Sequence, residues 1–288
     1  MKKKKSSLKK LMPVPAAAAV FALAASGAHA QTVPIFEANF PTSWSGTGTT
    51  VTDLSGAGNT GFQSGTATYV TTAVPPGAAA GTGSMALSGA GGIKVTGPTG
   101  QTALLNNAAV ADAGGFIYNI DFLWNGGTTS YGTQKLIDYA GTESLELDNL
   151  TANTSATLDM EFADDSGTET EPVSTTIAPN TWYDVTMEFN TQGNSLSSSG
   201  DISGIANLYV NGNLMDSAAA TKGTSGDSLG RPIAIGELAY GHTTSIVGLD
   251  GDIYSASVEL VPEPSSLALG LLGGLGVLGM RWKARRKS

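Results

Sequence analysis

Apolar and polar residues alternate along several stretches of the central chain. From Phe116 to Trp124 every second residue is large and apolar, and polar residues such as Asn119 lie between them. Residues 182–189 repeat the pattern, with Tyr, Val, Met and Phe on one face. A period of two is that of a β-strand with one face in a core. Further strands are predicted at residues 207–210, 231–236 and 252–260.

One of these runs leads directly into Asn211-Gly212. This dipeptide is a strong hairpin signal, because both positions of a two-residue turn require positive φ. No stretch of residues 31–260 shows helical periodicity. We therefore predict an all-β domain here.

The first thirty residues have the three parts of a secretory signal peptide. A basic start, Lys2–Lys10, precedes an apolar, Ala-rich run, and small residues stand at Ala28 and Ala30. We expect signal peptidase to remove this signal helix by cutting between Ala30 and Gln31. An anchor that stays uncleaved is the alternative, but the apolar run is short for a membrane span.

The end of the chain has a different three-part pattern. Val-Pro-Glu-Pro at 261–264 is followed by an apolar run at 266–280 and a basic end at 281–287. The prolines stop the preceding strand and hold the chain extended, where a processing enzyme could grip it. The apolar run predicts a hydrophobic helix that halts in the inner membrane, with its basic end in the cytoplasm and the domain outside.

This tail, residues 261–288, resembles the PEP-CTERM sorting signal of Gram-negative bacteria. The resemblance implies recognition by an exosortase, then release or transfer to the cell surface, often in bacteria that make exopolysaccharide. An ordinary C-terminal anchor is the alternative. The residues implied in sorting are Pro262, Glu263 and Pro264, with Arg281, Arg285 and Arg286 in the basic stop.

Charge separates the middle of the chain from both ends. Residues 31–260 contain four Lys or Arg and twenty-three Asp or Glu, a formal net charge of −19, whereas the whole chain carries −9. Such a segment repels nucleic acid but not a cation or a neutral glycan. Without cysteine, its 230 residues must rely on a core of their own. We predict three parts: 1–30, 31–260 and 261–288.

The order of the strands resembles the laminin-G-like, concanavalin A-like jelly-roll family. The resemblance implies two curved antiparallel sheets packed face to face as a sandwich. It implies little about a ligand, since the fold serves lectins, glucanases and adhesion modules. The six matching pieces are Asp-x-Ser-Gly-x-Gly-Asn-x-Gly at 53–61, a small-residue strand at 84–89, Trp-Tyr at 182–189, Leu-Tyr-Val-Asn-Gly at 208–212, Ile-Gly at 233–236 and Gly-Asp-Ile at 251–253.

Few residues could support catalysis. His242 is the one histidine after the predicted cleavage site, which disfavours both a Ser-His-Asp triad and a zinc site. Glucanases of this fold place Glu-x-Asp-x-x-Glu on one strand, but here Glu146 and Asp148 are followed by Thr151. One of the two required carboxyl groups is missing. We interpret residues 146–151 as an amphipathic strand with a solvated acidic face.

Calcium binding is predicted for the loop at 53–61, which offers hard oxygen donors and flexible glycines. A Gly/Asn-rich turn without metal is the alternative. The candidate ligands are Asp53, Ser55 and Asn59, joined by Asp250 or Asp252 from the closing turn.

Aromatic rings bind sugars by stacking on them. Trp124 and Trp182 continue strands, which favours packing, so Trp44 and Tyr240 are the predicted glycan contacts. We predict a non-enzymatic surface or matrix protein for adhesion or glycan contact, such as contact with exopolysaccharide. The alternative is a secreted polysaccharide-degrading enzyme of the same fold.

Overall fold

A computed structural model describes residues 32–261, except residue 41 and segments 99–103, 127–131, 140–142, 152–153, 164–168, 225–231 and 239–245. The predicted signal helix, the C-terminal helix, Tyr240 and His242 lie outside these residues. Thr32–Glu263 form one compact unit. Within the described residues, no helix has the length and hydropathy needed to cross a membrane.

Strands make up most of this unit, as predicted, with one short helix. They are β1 (Val33–Asn39), β2 (Thr50–Thr52), β3 (Thr60–Val70), β4 (Ser84–Thr96), β5 (Gly115–Trp124), β6 (Thr133–Tyr139), β7 (Glu143–Thr151), β8 (Ser155–Ala163), β9 (Glu169–Ile177), β10 (Trp182–Asn190), β11 (Ile202–Val210), β12 (Asn213–Lys222), β13 (Ile233–Ile235), β14 (Ile246–Gly248) and β15 (Asp250–Leu260), with helix α1 (Asn107–Ala113) before β5.

Hydrogen bonds join the strands into one continuous sheet, in which eleven strands follow the order β12-β11-β10-β5-β15-β4-β13-β6-β7-β8-β9. Off this path, β1 pairs with β15, β14 with β6, and β3 with both β2 and β4. The all-β class is confirmed, and the strand pairs are antiparallel apart from β14 with β6. The division into two separate sheets is not confirmed, because the short strand β13 pairs with β4 on one edge and with β6 on the other.

The predicted alternation is confirmed in β5 and β10. Every second residue of β5 from Phe116 to Trp124 is buried, and Val185, Met187 and Phe189 of β10 are buried as well. The predicted Asn-Gly hairpin joins β11 to β12, with positive φ at both turn residues (51° and 73°). Local sequence pattern therefore determines these elements.

The sheet curves around one core. The ring of Phe189 on β10 lies 5.6 Å from that of Phe116 on β5 and 5.2 Å from that of Phe162 on β8. Strands β10 and β8 stand near opposite ends of the hydrogen-bonded order. At these ends, the backbone N–H of Ser174 on β9 donates to Asp216 on β12 over 3.2 Å. The apolar faces of the strands near the two ends of this order therefore pack against each other in one core. Their polar faces lie on the opposite side of the sheet.

Candidate functional site

The predicted calcium loop is held together by its own hydrogen bonds. The Asp53 carboxylate accepts backbone N–H groups of Ser55 (2.9 Å), Glu37 (3.1 Å) and Asn59 (3.2 Å). The side-chain amide of Asn59 donates to the carbonyl of Ile35 on β1. The loop therefore docks on β1 through hydrogen bonds with Glu37 and Ile35, and calcium at this loop stays a prediction.

The other predicted ligands lie elsewhere in the sheet. Asp250 and Asp252 begin β15, whereas Glu37, which donates to Asp53, pairs with Ser257 on the same strand. Five residues of strand separate Ser257 from Asp252, a distance of about 16 Å. The structure therefore does not bring the predicted five-residue ligand set together, because strand register keeps its two halves apart.

Trp44 is not a glycan contact, contrary to the sequence prediction. Its side chain is only 4% exposed, packs edge-on against Phe40 with ring centroids 6.5 Å apart, and donates from Nε1 to the carbonyl of Gly48 over 3.1 Å. A ring that is enclosed by the core cannot stack on a sugar. Trp124 is fully buried, as its place in a strand predicted.

A polar face covers β15, β5 and β10 on the side away from the core. Asn119 lies at its centre, between Ser257 and Thr186 on the neighbouring strands. Its amide donates to the Ser257 hydroxyl (3.0 Å), and its carbonyl oxygen accepts from the Thr186 hydroxyl (2.7 Å). These side chains are half-buried, so hydrogen bonds fix their positions while one side remains open to solvent.

The polar face continues onto β11 and β12. Asn207 donates to Glu188 of β10 (3.3 Å) and accepts from the hydroxyl of Ser217 on β12 (2.6 Å). The face is therefore an ordered array of hydroxyl, amide and carboxylate groups across five strands.

Negative charge is concentrated at one end of this face. Asp121 stands directly opposite Asp184. The hydroxyl of Ser255 donates a hydrogen bond to the Asp121 carboxylate over 2.5 Å. Burial raises the pKa of Asp121, the Asp184 charge adds to this rise, and the Ser255 hydrogen bond opposes it. This end favours a ligand with hydroxyl donors over an anionic one.

Aromatic rings border the same face. Trp182 and Tyr254 are half-buried and pack edge-to-face with ring centroids 6.4 Å apart, and Tyr209 lies opposite Thr186. Rings beside fixed hydrogen-bonding groups are suited to a sugar, which presents apolar faces and hydroxyl edges.

A second polar face, on β6, β7 and β8, is buried and charged. Lys135 pairs with Glu146 and Glu161 (2.7 Å to the latter) and donates to the Ser144 hydroxyl over 2.8 Å. All four residues are buried. The prediction of a solvated acidic face is therefore wrong at Glu146, because β6 supplies a lysine that compensates its charge.

Acidic side chains could hold a metal at one further place. Among the described residues, one group of three acidic or metal-ligating side chains has its ligand atoms within 4.8 Å of one another: Asp148, Asp159 and Glu171. Sequence reasoning missed Asp159 and Glu171. The available signal was the alternation of Asp159 and Glu161 with apolar residues in β8, which placed two acids beside those of β7.

The PEP-CTERM protein-sorting motif matches residues 260–287. No curated protein matches the sequence.

Three solved structures illustrate the likeness of fold. A botulinum neurotoxin type C structure, described for cell entry through two ganglioside molecules, is 13% identical over 82% of this chain and 50% of that chain, with a TM-score of 0.48. The CBM40 of a Ruminococcus gnavus sialidase, bound to α2,3 sialyllactose, is 17% identical over 52% of this chain and 78% of that chain (TM-score 0.33). A protein of unknown function from Shewanella oneidensis MR-1 is 13% identical over 89% and 98% of the two chains (TM-score 0.41).

These likenesses are too distant to assign a function. The match spans about half the length of the toxin chain. None of the three is described as laminin-G-like or concanavalin A-like, so that resemblance stays a prediction. The motif at residues 260–287 indicates an exported protein that is sorted at the cell envelope.

Proposed function

We propose that this protein is a non-enzymatic component of the cell surface or extracellular matrix, and that its β domain contacts glycans. The observation that carries the proposal is the sorting motif, which begins at the last residue of β15. Signal peptidase would remove residues 1–30, and exosortase would act at the tail. The curved sheet would form a jelly-roll sandwich that presents the polar face outside the cell.

The polar face supports glycan contact. It combines half-buried hydroxyl and amide groups, already oriented by hydrogen bonds, with the Trp182–Tyr254 ring pair. A formal charge of −19 on residues 31–260 disfavours polyanions. The proposed ligand class is therefore a neutral polysaccharide.

A glycan array with the exported protein, run with calcium and with chelator, tests this proposal. We expect binding to neutral glycans, weakened about tenfold or more in Trp182→Ala, since a stacked ring contributes a kcal/mol or more. Phe62→Ala is the matched control, because Phe62 is 43% exposed on β3, outside the polar face. Equal glycan binding by wild type and Trp182→Ala would show that the polar face is not the binding surface.

One observation favours a second candidate, a polysaccharide-degrading enzyme. Glu146 and Asp159 stand directly opposite each other on β7 and β8, a pair of carboxyl groups on one face. Lys135 compensates the charge of Glu146, whereas burial raises the pKa of Asp159 to about 8. Such a difference separates a general acid from a carboxylate, but both side chains are buried away from a polymer. Release of reducing sugar from β-glucans, abolished in Glu146→Gln, would establish this enzyme instead.

A further inference from the structure

We propose that Asp148, Asp159 and Glu171 bind a divalent metal ion, with Ca²⁺ as the expected ion, where the buried polar face of β7 and β8 meets β9. This site is distinct from the loop at residues 53–61.

Strand geometry directs the three carboxylates to one place. Asp148 pairs with Thr157, two residues before Asp159 on β8, so Asp148 and Asp159 point to the same face. Between Met160 and Phe162 the register with β9 shifts by one residue. A bulge of this kind reverses the alternation of the strand beyond it and directs Glu171 onto the polar face.

Asp159 is the observation that points to a ligand. Its side chain is fully buried, and among the residues that the structure describes neither carboxylate oxygen has a hydrogen-bond partner. A buried carboxylate without partner is strongly unfavourable, so a cation or a proton must compensate it. Lys135 acts on Asp159 only at a distance, by lowering its pKa, and pairs with Glu146 and Glu161 instead.

A proton is the competing occupant. Burial, together with the charges of Glu171 and Asp148 and against the effect of Lys135, raises the pKa of Asp159 to about 8. Burial, followed by the Asp148 and Glu161 charges, also raises the pKa of Glu171. A proton removes the charge of Asp159 but brings no partner to its second oxygen. A metal ion that displaces this proton satisfies all three side chains and releases one H⁺ to solvent.

The donor set selects the ion. All three donors are carboxylate oxygens, which suit Ca²⁺, Mg²⁺ or Mn²⁺ rather than zinc. Calcium accepts irregular geometry and fills its remaining positions with water. Glu171 is exposed while Asp159 is buried, so the ion would enter from the β9 side.

Isothermal titration of the exported protein with CaCl₂ tests the site, together with thermal unfolding in calcium and in chelator. We expect one ion per chain, a melting temperature that rises with calcium, and tighter binding at pH 8 than at pH 6 as the proton leaves. Asp159→Asn should abolish binding, and Glu171→Gln should weaken it at least tenfold. The exposed position of Glu171 keeps that variant informative if Asp159→Asn does not fold.

Asp53→Asn separates this proposal from the loop site. It should bind calcium as the wild type does. Loss of binding in Asp53→Asn with retention in Glu171→Gln would place calcium at the loop and overturn the proposal. Titration of the wild type with no heat of binding and no change in melting temperature would overturn it as well.

Discussion

At the residue scale, two of the three lysines between residues 31 and 260 are buried in the domain. Only four basic residues occur between residues 31 and 260, and two of them, Lys135 and Lys222, are buried beside carboxylates. Lys222 lies 3.4 Å from Glu143 and above the ring of Tyr139. Removal of one partner from a buried pair leaves the other charge uncompensated, which is strongly destabilising.

Lys135→Met should therefore lower the free energy of unfolding by about 3–5 kcal/mol at pH 7. Urea denaturation measures this. Lys94→Met is the control, because Lys94 is half-buried on β4 and a loosely paired lysine contributes about 0–1 kcal/mol. Similar small losses in both variants would contradict the buried network.

Stability in chelator should fall as pH rises from 4 to 8. The pKa of Asp159 is about 8 in the folded protein and 3.8 without its surroundings. Between these values the folded state keeps a proton that the unfolded state loses, so stability is fully present below pH 4 and declines with pH. The groups that face Asp159 are Lys135, Glu146, Asp148, Glu161 and Glu171.

The titration of Asp159 changes the free energy of unfolding by at most roughly 1.4 kcal/mol per pH unit. It is measured as the wild-type unfolding free energy minus that of Asp159→Asn at each pH, since the other groups are common to both proteins. A difference that stays constant from pH 4 to 8 would mean that Asp159 titrates normally.

At the scale of elements, the sequence predicts those strands and turns that depend on residues close together in the chain. Alternation identified β5 and β10, and Asn211-Gly212 identified the turn after β11, because these depend on contacts within a strand or hairpin. The sequence did not predict that β6 places Lys135 opposite Glu146, or that a bulge directs Glu171 toward Asp159. Both depend on register between strands, and Trp44 was misread because its polar neighbours conceal its contact with Phe40.

Burial on adjacent strands can be tested with one chemical change. Leu208 of β11 is fully buried, whereas Leu214 of β12 is 55% exposed. Leu208→Ala should destabilise the domain by about 2–5 kcal/mol because it opens a cavity, and Leu214→Ala by less than about 0.5 kcal/mol. Equilibrium denaturation of both variants decides this. A larger loss at Leu214 than at Leu208 would mean that the β11–β12 hairpin presents its other face to the core.

At the scale of the whole molecule, the sign of the charge distinguishes the domain from the two ends of the chain. The acidic domain, residues 31–260, contains 23 of the 24 acidic residues, whereas eleven of the fifteen basic residues lie in the two ends. Basic segments that flank apolar runs stay on the cytoplasmic side of a membrane. The acidic domain between them contains no cysteine, so its stability outside the cell depends on its core and not on disulfides. The sorting motif at residues 260–287 indicates that this domain is exported and sorted at the cell envelope.

Replacement of Pro262-Glu263-Pro264 by three alanines separates sorting from simple anchoring. If the tail is only an anchor, its apolar run and basic end suffice, and the change is nearly silent. If exosortase reads the motif, the variant should be translocated yet uncut, and it should remain in the inner membrane with residues 265–288 attached. Intact-mass analysis of the membrane and surface fractions measures this.

Removal of residues 281–287 is the companion variant. Its proline handle is intact, but it has lost the charges that stop the apolar run from slipping through the bilayer. We expect weaker membrane retention of this variant, in contrast to the trapped triple-alanine protein. A wild-type surface form that still ends at Ser288 would rule out cleavage, and the β domain would then be held at the membrane by an ordinary anchor.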